Sequence, residues 1–272
     1  MKGEIVAKIE KRRLDVLLVE RGMVESRELG RRLIMAGEVL VGGETVSRPA
    51  TRIPVDAEIV LKEQPRFVSR GGEKLAAALD AFEISPEGWT CADVGASTGG
   101  FTDCLLQGGA VRVYAIDVGY GQLAWRLRND ERVEVMERVN ARYLEALPEP
   151  IDFASIDVSF ISLDLILPMV RSWLPPGGEV VALVKPQFEA GRADVGKGGV
   201  VRDEAVHRRV LEDAIAAARS SGFAVRGLIP SPLRGPAGNI EFLLWLGTDG
   251  PQADQDTSEL IDAALAAAPE QP

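Results

Sequence analysis

Between residues 73 and 246, short apolar runs alternate with stretches of helical period, and this alternation constrains the fold more than any other feature of the chain. Strand-like runs fall at residues 90–94, 111–116, 133–135, 153–156, 180–184, 224–229 and 240–246, and helical patterns at 73–82, after Gly99, at 163–173 and at 204–220. Strands separated by helices pair in parallel, which predicts an α/β domain with a Rossmann-like, mostly parallel sheet of seven strands. Such sheets bind ligands beyond the carboxyl ends of their strands, so the residues at those ends are the ones to examine.

A smaller unit precedes this domain. Leu14, Leu17, Leu18 and Arg21 recur at i, i+3, i+4 and i+7, with Gly22 where a helix C-cap falls. Ser26 then caps a second helical pattern, Leu29, Leu33 and Ile34, which ends at Gly37. Short β signals follow at 39–41, 45–46 and 59–61, so residues 1–63 read as a small α+β unit. Residues 64–70, with Pro65 and mixed charge, read as a linker, 71–248 as the larger domain, and 249–272 as an acidic tail expected to be mobile.

With 272 residues, 46% of them hydrophobic, the chain can build two cores, and no apolar run approaches the ~20 residues of a spanning helix. Residues 1–13 lack the pattern of a secretory signal, which makes the cytoplasm the expected compartment. A net charge of -10 argues against a nucleic-acid partner until the charge is mapped. From Gly247 onward there are six acidic residues and no Lys or Arg, whereas Lys11, Arg12, Arg13, Arg21, Arg27, Arg31 and Arg32 cluster near the start. Cys91 and Cys104 read as reduced core thiols, and no metal site is expected.

The first strand of the larger domain ends in Asp93-Val94-Gly95-Ala96-Ser97-Thr98-Gly99-Gly100-Phe101. Glycines at a strand-to-helix turn let backbone approach a ligand closely. Gly95 and Gly100 fit the dinucleotide fingerprint, but Ser97 stands where its second glycine, the one facing the pyrophosphate, belongs. Asp93 before the turn suits a cofactor with a cationic amino-acid end, such as S-adenosylmethionine. Asp117, with Val118 beside it, ends the second strand where a carboxylate can accept from ribose hydroxyls, although it could equally cap the strand. Asn140 could reach an adenine edge or serve as a turn residue.

Lys74, Asp157, Lys185 and Glu241 fall on one rim of the expected sheet. A lysine flanked by two carboxylates and a second lysine can position and deprotonate a weakly acidic hydroxyl. Lys185 acts there either as a base, if neutral, or as a cation that stabilises the developing alkoxide. The glycine-rich stretch 189–202 reads as a mobile loop over a substrate or an ordinary connection. His207 reads as a surface residue, and Trp125 and Tyr120 could stack on a base, with core packing the preferred reading for each.

Two resemblances attach to these segments. The stretch "RLDVLLVERGMVESRELGRRLIMAGEVLVGGETVSRPATRIP" resembles the S4 RNA-binding domain, and this implies that Arg13, Arg27, Arg31 and Arg32 contact RNA. The segments "SRGGEKL", "DVGASTGGFTD", "AIDVGYGQL", "IDVSFISL" and "LVKPQFE" resemble the FtsJ-type ribose 2′-O-methyltransferases, and over nearly its full length the chain is similar to the TlyA family, historically called haemolysins. The resemblance implies that Lys74, Asp157, Lys185 and Glu241 are catalytic and that Asp93, Gly95, Ser97, Gly99, Gly100, Phe101, Asp117, Val118, Asn140 and Asp157 bind S-adenosylmethionine. It also implies that Arg70 adds to the RNA contacts and that the substrate is a cytidine ribose of ribosomal RNA. No membrane partner and no metal are expected.

Three other functions compete. A secreted membrane-damaging protein needs a signal peptide, amphipathic stretch or barrel-like alternation absent from the sequence. A non-catalytic RNA-binding assembly factor has no need of the intact cofactor turn and four charged positions. Methylation of an adenine amino group often uses an Asn/Asp-Pro-Pro-aromatic turn, where this chain has Asp157-Val158-Ser159-Phe160.

Overall fold

In a computed structural model, described for residues 10–62, 65–191, 193–249 and 257–269, the chain divides into two compact units, 1–64 and 65–272. The readings made for residues 1–9, and for Asp254, Asp256 and Glu270 of the tail, lie outside the described residues. The first unit runs β1 (Lys11–Arg13), α1 (Leu14–Glu20), α2 (Arg27–Met35), β2 (Val39–Val41), β3 (Glu44–Thr45), β4 (Arg52–Pro54) and β5 (Ile59–Leu61). Strand β1 pairs with β4, and β2 lies between β3 and β5. Leu14, Leu18, Ile34 and Val39 are fully buried, so the helical periodicity does define its core. The Ser26 hydroxyl accepts from the Leu29 N–H at 3.2 Å, as an N-cap should.

The second unit continues with α3 (Gly71–Ala81), β6 (Thr90–Val94), α4 (Gly100–Gln107), β7 (Arg112–Asp117), α5 (Trp125–Arg128), β8 (Val133–Glu137) and β9 (Phe153–Ile156). Then come α6 (Leu167–Trp173), β10 (Glu179–Val184), α7 (Pro186–Glu189), α8 (Glu204–Ser220), β11 (Ala224–Pro230), β12 (Phe242–Gly247) and α9 (Thr257–Ala266). Its seven strands lie in the order β11-β12-β10-β9-β6-β7-β8, and only β12 runs against its neighbours. The winding direction reverses between β6 and β9, whose last residues Val94 and Ile156 are register partners. A crevice therefore opens at their carboxyl ends, the position at which this topology binds ligands.

Several local expectations change. The helix expected over 163–173 begins as a 3-10 turn, Leu163–Leu165, and becomes α6 only at Leu167, because Pro168 fits a first turn and no other. The linker is not free over its second half: Phe67 is 2% exposed and packs on Gly72, where a Cβ would lie 2.3 Å from Phe67 Cγ. Tyr120 and Trp125 are 68% and 79% exposed rather than in the core, because the loop after β7 and the short α5 carry them over the rim of the sheet. The tail is not wholly mobile either, since α9 buries Ile261 and Ala264 and contacts α8 and β11. Cys91 and Cys104 are free and buried.

His207, expected at the surface, is buried in α8 with its ring edge-on to Phe242, and its Nε2 has no hydrogen-bond partner among the described residues. Burial lowers its pKa below 6.5, with Asp203 and Glu204 opposing. Between the ordinary and the lowered pKa the unfolded chain binds more protons, so His207 makes stability fall as pH drops below about 6.5. His207→Leu should remove this dependence. The Tm difference between variant and wild type then grows in the variant's favour from pH 7 to pH 5, and a difference independent of pH would refute the assignment.

Candidate active site

Two cavities meet at the carboxyl ends of β6 and β9. The smaller, about 510 Å3, runs from the turn after β6 past Asp117 and Val118 to Asn140, with Ile116, Val139 and Ile166 supplying apolar wall. The larger, about 640 Å3, is lined by Lys74, Lys185 and Glu241 and by Arg70 at its exposed edge. Gly95, Ser97, Asp157, Ser159 and Phe160 belong to both walls. Both volumes are of the size of small-molecule sites.

The turn after β6 is built for close approach. Gly95 has φ +91, and a Cβ there would lie 2.4 Å from the Asp157 carbonyl oxygen. Ser97, in the place of a glycine, takes the left-handed conformation that a glycine would, with φ 49. Its N–H donates to Asp117 Oδ2 at 2.8 Å, and the Gly119 N–H donates to Oδ1 at 2.6 Å. Asp117 thus ties two turns together while lining the smaller cavity. Asn140 likewise accepts from the Arg142 N–H at 3.1 Å and still reaches that cavity.

Four of the residues expected at the cofactor do not line the smaller cavity. Asp93 is fully buried beneath the turn, where Oδ2 accepts from the Thr102 N–H at 2.8 Å and its hydroxyl at 2.6 Å, so it secures the start of α4 rather than facing either cavity. Burial pushes its carboxyl up to about 7. Gly99 lines neither cavity; it lets Leu127 pack where a Cβ would lie 2.3 Å from Leu127 Cδ1. Phe101 and Gly100 face the larger cavity.

The four charged residues of the rim sort into two ion pairs. Lys74 Nζ lies 2.5 Å from Glu241 Oε2, and Lys185 Nζ lies 2.5 Å from Asp157 Oδ1. Lys185 also donates to Ser159 Oγ at 3.0 Å, and Gln187 Nε2 donates to Glu241 Oε1 at 3.2 Å. Lys74, Lys185 and Glu241 are buried, and Asp157 is the most open of the set. Glu241 reaches the site because β12 lies antiparallel beside β10, which sets its first residues next to the end of β10.

Residues 67–248 match the model of the FtsJ-like methyltransferases, and residues 12–59 match that of the S4 domain. The chain belongs to the FtsJ-like methyltransferase family. YqxC of Bacillus subtilis (strain 168) is 53% identical, with 89% of this chain and 87% of the relative covered. The 16S/23S rRNA (cytidine-2′-O)-methyltransferase TlyA of Mycobacterium tuberculosis (strain ATCC 25618 / H37Rv) is 46% identical over 89% of this chain and 91% of its own. A solved structure from Streptococcus thermophilus is 50% identical, with a TM-score of 0.71, and the match covers 96% of this chain and 98% of that one.

In this methyltransferase, sequence reasoning missed several site residues. Phe160 is 89% exposed with φ 64, stands on the wall shared by the two cavities, and has its ring 4.8 Å from that of Phe188. Glu189 fixes the loop that carries it, bonding the Ser162 hydroxyl and accepting from the Leu163 N–H at 3.0 Å. Asn239 pins the end of the glycine-rich stretch: Nδ2 donates to the Gly199 carbonyl at 2.8 Å, and Oδ1 accepts from the Val201 N–H at 2.9 Å. Positive φ at a non-glycine residue has no sequence signature, and the Glu189 and Asn239 bonds join segments distant in the chain. Among the residues expected to touch RNA, Arg31 and Arg32 are exposed, and Arg13 and Arg27 both pair with Asp15. Among the described residues no helix is long and apolar enough to cross a membrane.

Proposed function

We propose that this methyltransferase moves the methyl group of S-adenosylmethionine to a ribose 2′-hydroxyl of ribosomal RNA, cytidine being the nucleoside named for the Mycobacterium tuberculosis relative. The observation that carries the reading is the Lys185–Asp157 pair, set where the two cavities adjoin. The smaller cavity fits the cofactor: a carboxylate for ribose hydroxyls at Asp117, apolar walls for a purine, and a turn whose Gly95 lets backbone form the wall. When bound, the cofactor supplies a methyl group on a sulfonium, activated for displacement.

The protein's own tasks are then alignment and charge stabilisation. Lys185, oriented by Asp157 and Ser159, holds the acceptor oxygen with an ammonium N–H and stabilises the negative charge that develops on it. The hydroxyl proton becomes acidic as the oxygen–methyl bond forms and leaves to water at the open mouth. Lys74 and Glu241 complete the wall, and Phe160 offers the exposed aromatic face on which a nucleobase stacks. Arg70, at the cavity edge, meets the RNA backbone.

The test is transfer of labelled methyl from S-adenosylmethionine to ribosomal subunits that lack the modification, followed by nuclease mapping. A resistant 2′-O-methylated dinucleotide supports the reading; label on a base, or none, overturns it. Asp117→Ala removes the acceptor for Ser97 and Gly119 as well as for the ribose, so the Kd for cofactor by calorimetry should rise at least about tenfold, the scale of a lost charge-assisted contact. An unchanged Kd would move the cofactor out of the smaller cavity.

A further inference from the structure

Asp15 is fully buried, yet it is a carboxylate near the surface of the N-terminal unit. It stands in the first turn of α1, with its backbone N–H donating to the Pro49 carbonyl. Two arginines from different elements close on it. Arg13, from the end of β1, grips both oxygens in a two-toothed contact, Nε to Oδ1 at 2.9 Å and Nη2 to Oδ2 at 3.0 Å. Arg27, the first residue of α2, donates Nε to Oδ2 at 2.9 Å. The hydrogen bond from Arg13, ahead of that from Arg27, lowers the Asp15 carboxyl to about 2, so it stays ionised at any working pH.

The arginines themselves remain open, with side chains 42% and 55% exposed. A guanidinium carries five N–H donors. Arg13 spends only its Nε and one Nη2 hydrogen on Asp15, and Arg27 only its Nε, so the outward Nη groups of both have no partner among the described residues. An unrestrained arginine on a helix surface samples many rotamers and loses that freedom on binding. Here the freedom is already lost, and two guanidinium groups stand on the two oxygens of one carboxylate with net charge of one plus sign.

We propose that Asp15 is a positioning residue for RNA capture: it holds Arg13 and Arg27 side by side so that their free N–H groups meet backbone phosphate of the RNA substrate. This rests on the reading that the chain methylates RNA. Electrostatics alone makes the opposite prediction for Asp15→Asn, because removing a negative charge from a phosphate-binding face strengthens attraction. Loss of positioning weakens binding instead.

The experiment measures methyl transfer to undermethylated ribosomal subunits by the full chain carrying Asp15→Asn, Arg27→Gln, or both. Under the proposal, Asp15→Asn raises KM for the subunits by roughly tenfold, about one charge-assisted contact, and leaves kcat unchanged. The double variant then raises KM by less than the product of the two single effects, because Asp15 acts in part through Arg27 and in part through Arg13. A KM for Asp15→Asn that is unchanged or lower overturns the proposal, as does a fall in kcat with constant KM. If Asp15→Asn alone does not fold, Arg13→Lys replaces it: charge is kept but the two-toothed grip is lost, and an unchanged KM overturns the proposal. Failure of the wild type to label any RNA would instead overturn the reading of the function.

Discussion

Lys185→Met lowers the rate of methyl transfer about a thousandfold, within the range of losses on removing a preorganised charge or proton-transfer group, while the Kd for S-adenosylmethionine changes less than about twofold. The argument for the split is positional. Lys185 lines the larger cavity and not the smaller, whereas Asp117, Val118 and Asn140, proposed to hold the cofactor, line the smaller and not the larger. Its nitrogen is held by Asp157 and Ser159, so its loss removes a charge whose position is fixed. Met matches the length of the stem and keeps the apolar packing. Breaking the pair leaves Asp157 Oδ1, a buried atom, without its cation, but the Asp157 side chain as a whole is 24% exposed, which limits the cost, so the variant should fold. Single-turnover assays with calorimetry decide the matter: residual turnover within tenfold of wild type would remove Lys185 from the chemistry.

Gly95→Ala should abolish cofactor binding and destabilise the protein by about 3 kcal/mol, with a Tm fall of roughly 6–12 °C. Two effects add. An alanine at φ +91 carries backbone strain, and its Cβ would stand 2.4 Å from the Asp157 carbonyl oxygen and 2.8 Å from the carbonyl carbon. The contact is to backbone, which cannot rotate away as a flexible side chain could. Either the turn or the end of β9 must move, and both carry walls of both cavities. Calorimetric binding alongside a melting curve tests this, and a variant with normal Tm and normal Kd would mean that the turn is looser than its geometry implies.

Much of this was legible in the sequence, for physical reasons that differ by element. The seven strands were readable because strands buried on both faces need nearly continuous apolar runs, as in residues 180–184. The close approach of the turn after β6 to β9 was readable because glycine spacing reports backbone approach directly. The partners of the four charged residues were not, since Lys74 and Glu241 are 167 positions apart and meet only through the antiparallel insertion of β12. Phe67 sat in a stretch whose proline and charges marked a linker, and a single aromatic there outweighed them by docking on Gly72. His207 was hidden for a similar reason: two arginines follow it in sequence, but helical rotation turns them outward and turns the imidazole onto Phe242. Asp93 looked like a ligand because it precedes the turn, yet a carboxylate at a helix start is more readily satisfied by that helix's own N–H groups.

The pairing of Lys74 with Glu241 and of Lys185 with Asp157 cancels charge at the reactive end of the larger cavity, while Arg70 keeps a positive charge at its exposed edge. The four paired groups exert little net pull on a polyanion, so dissolved salt has little to screen beside the reacting oxygen once the nucleotide has entered. Ionic strength therefore acts on the encounter between RNA and the arginine-bearing surfaces, and hardly at all on the step in which the methyl group changes hands.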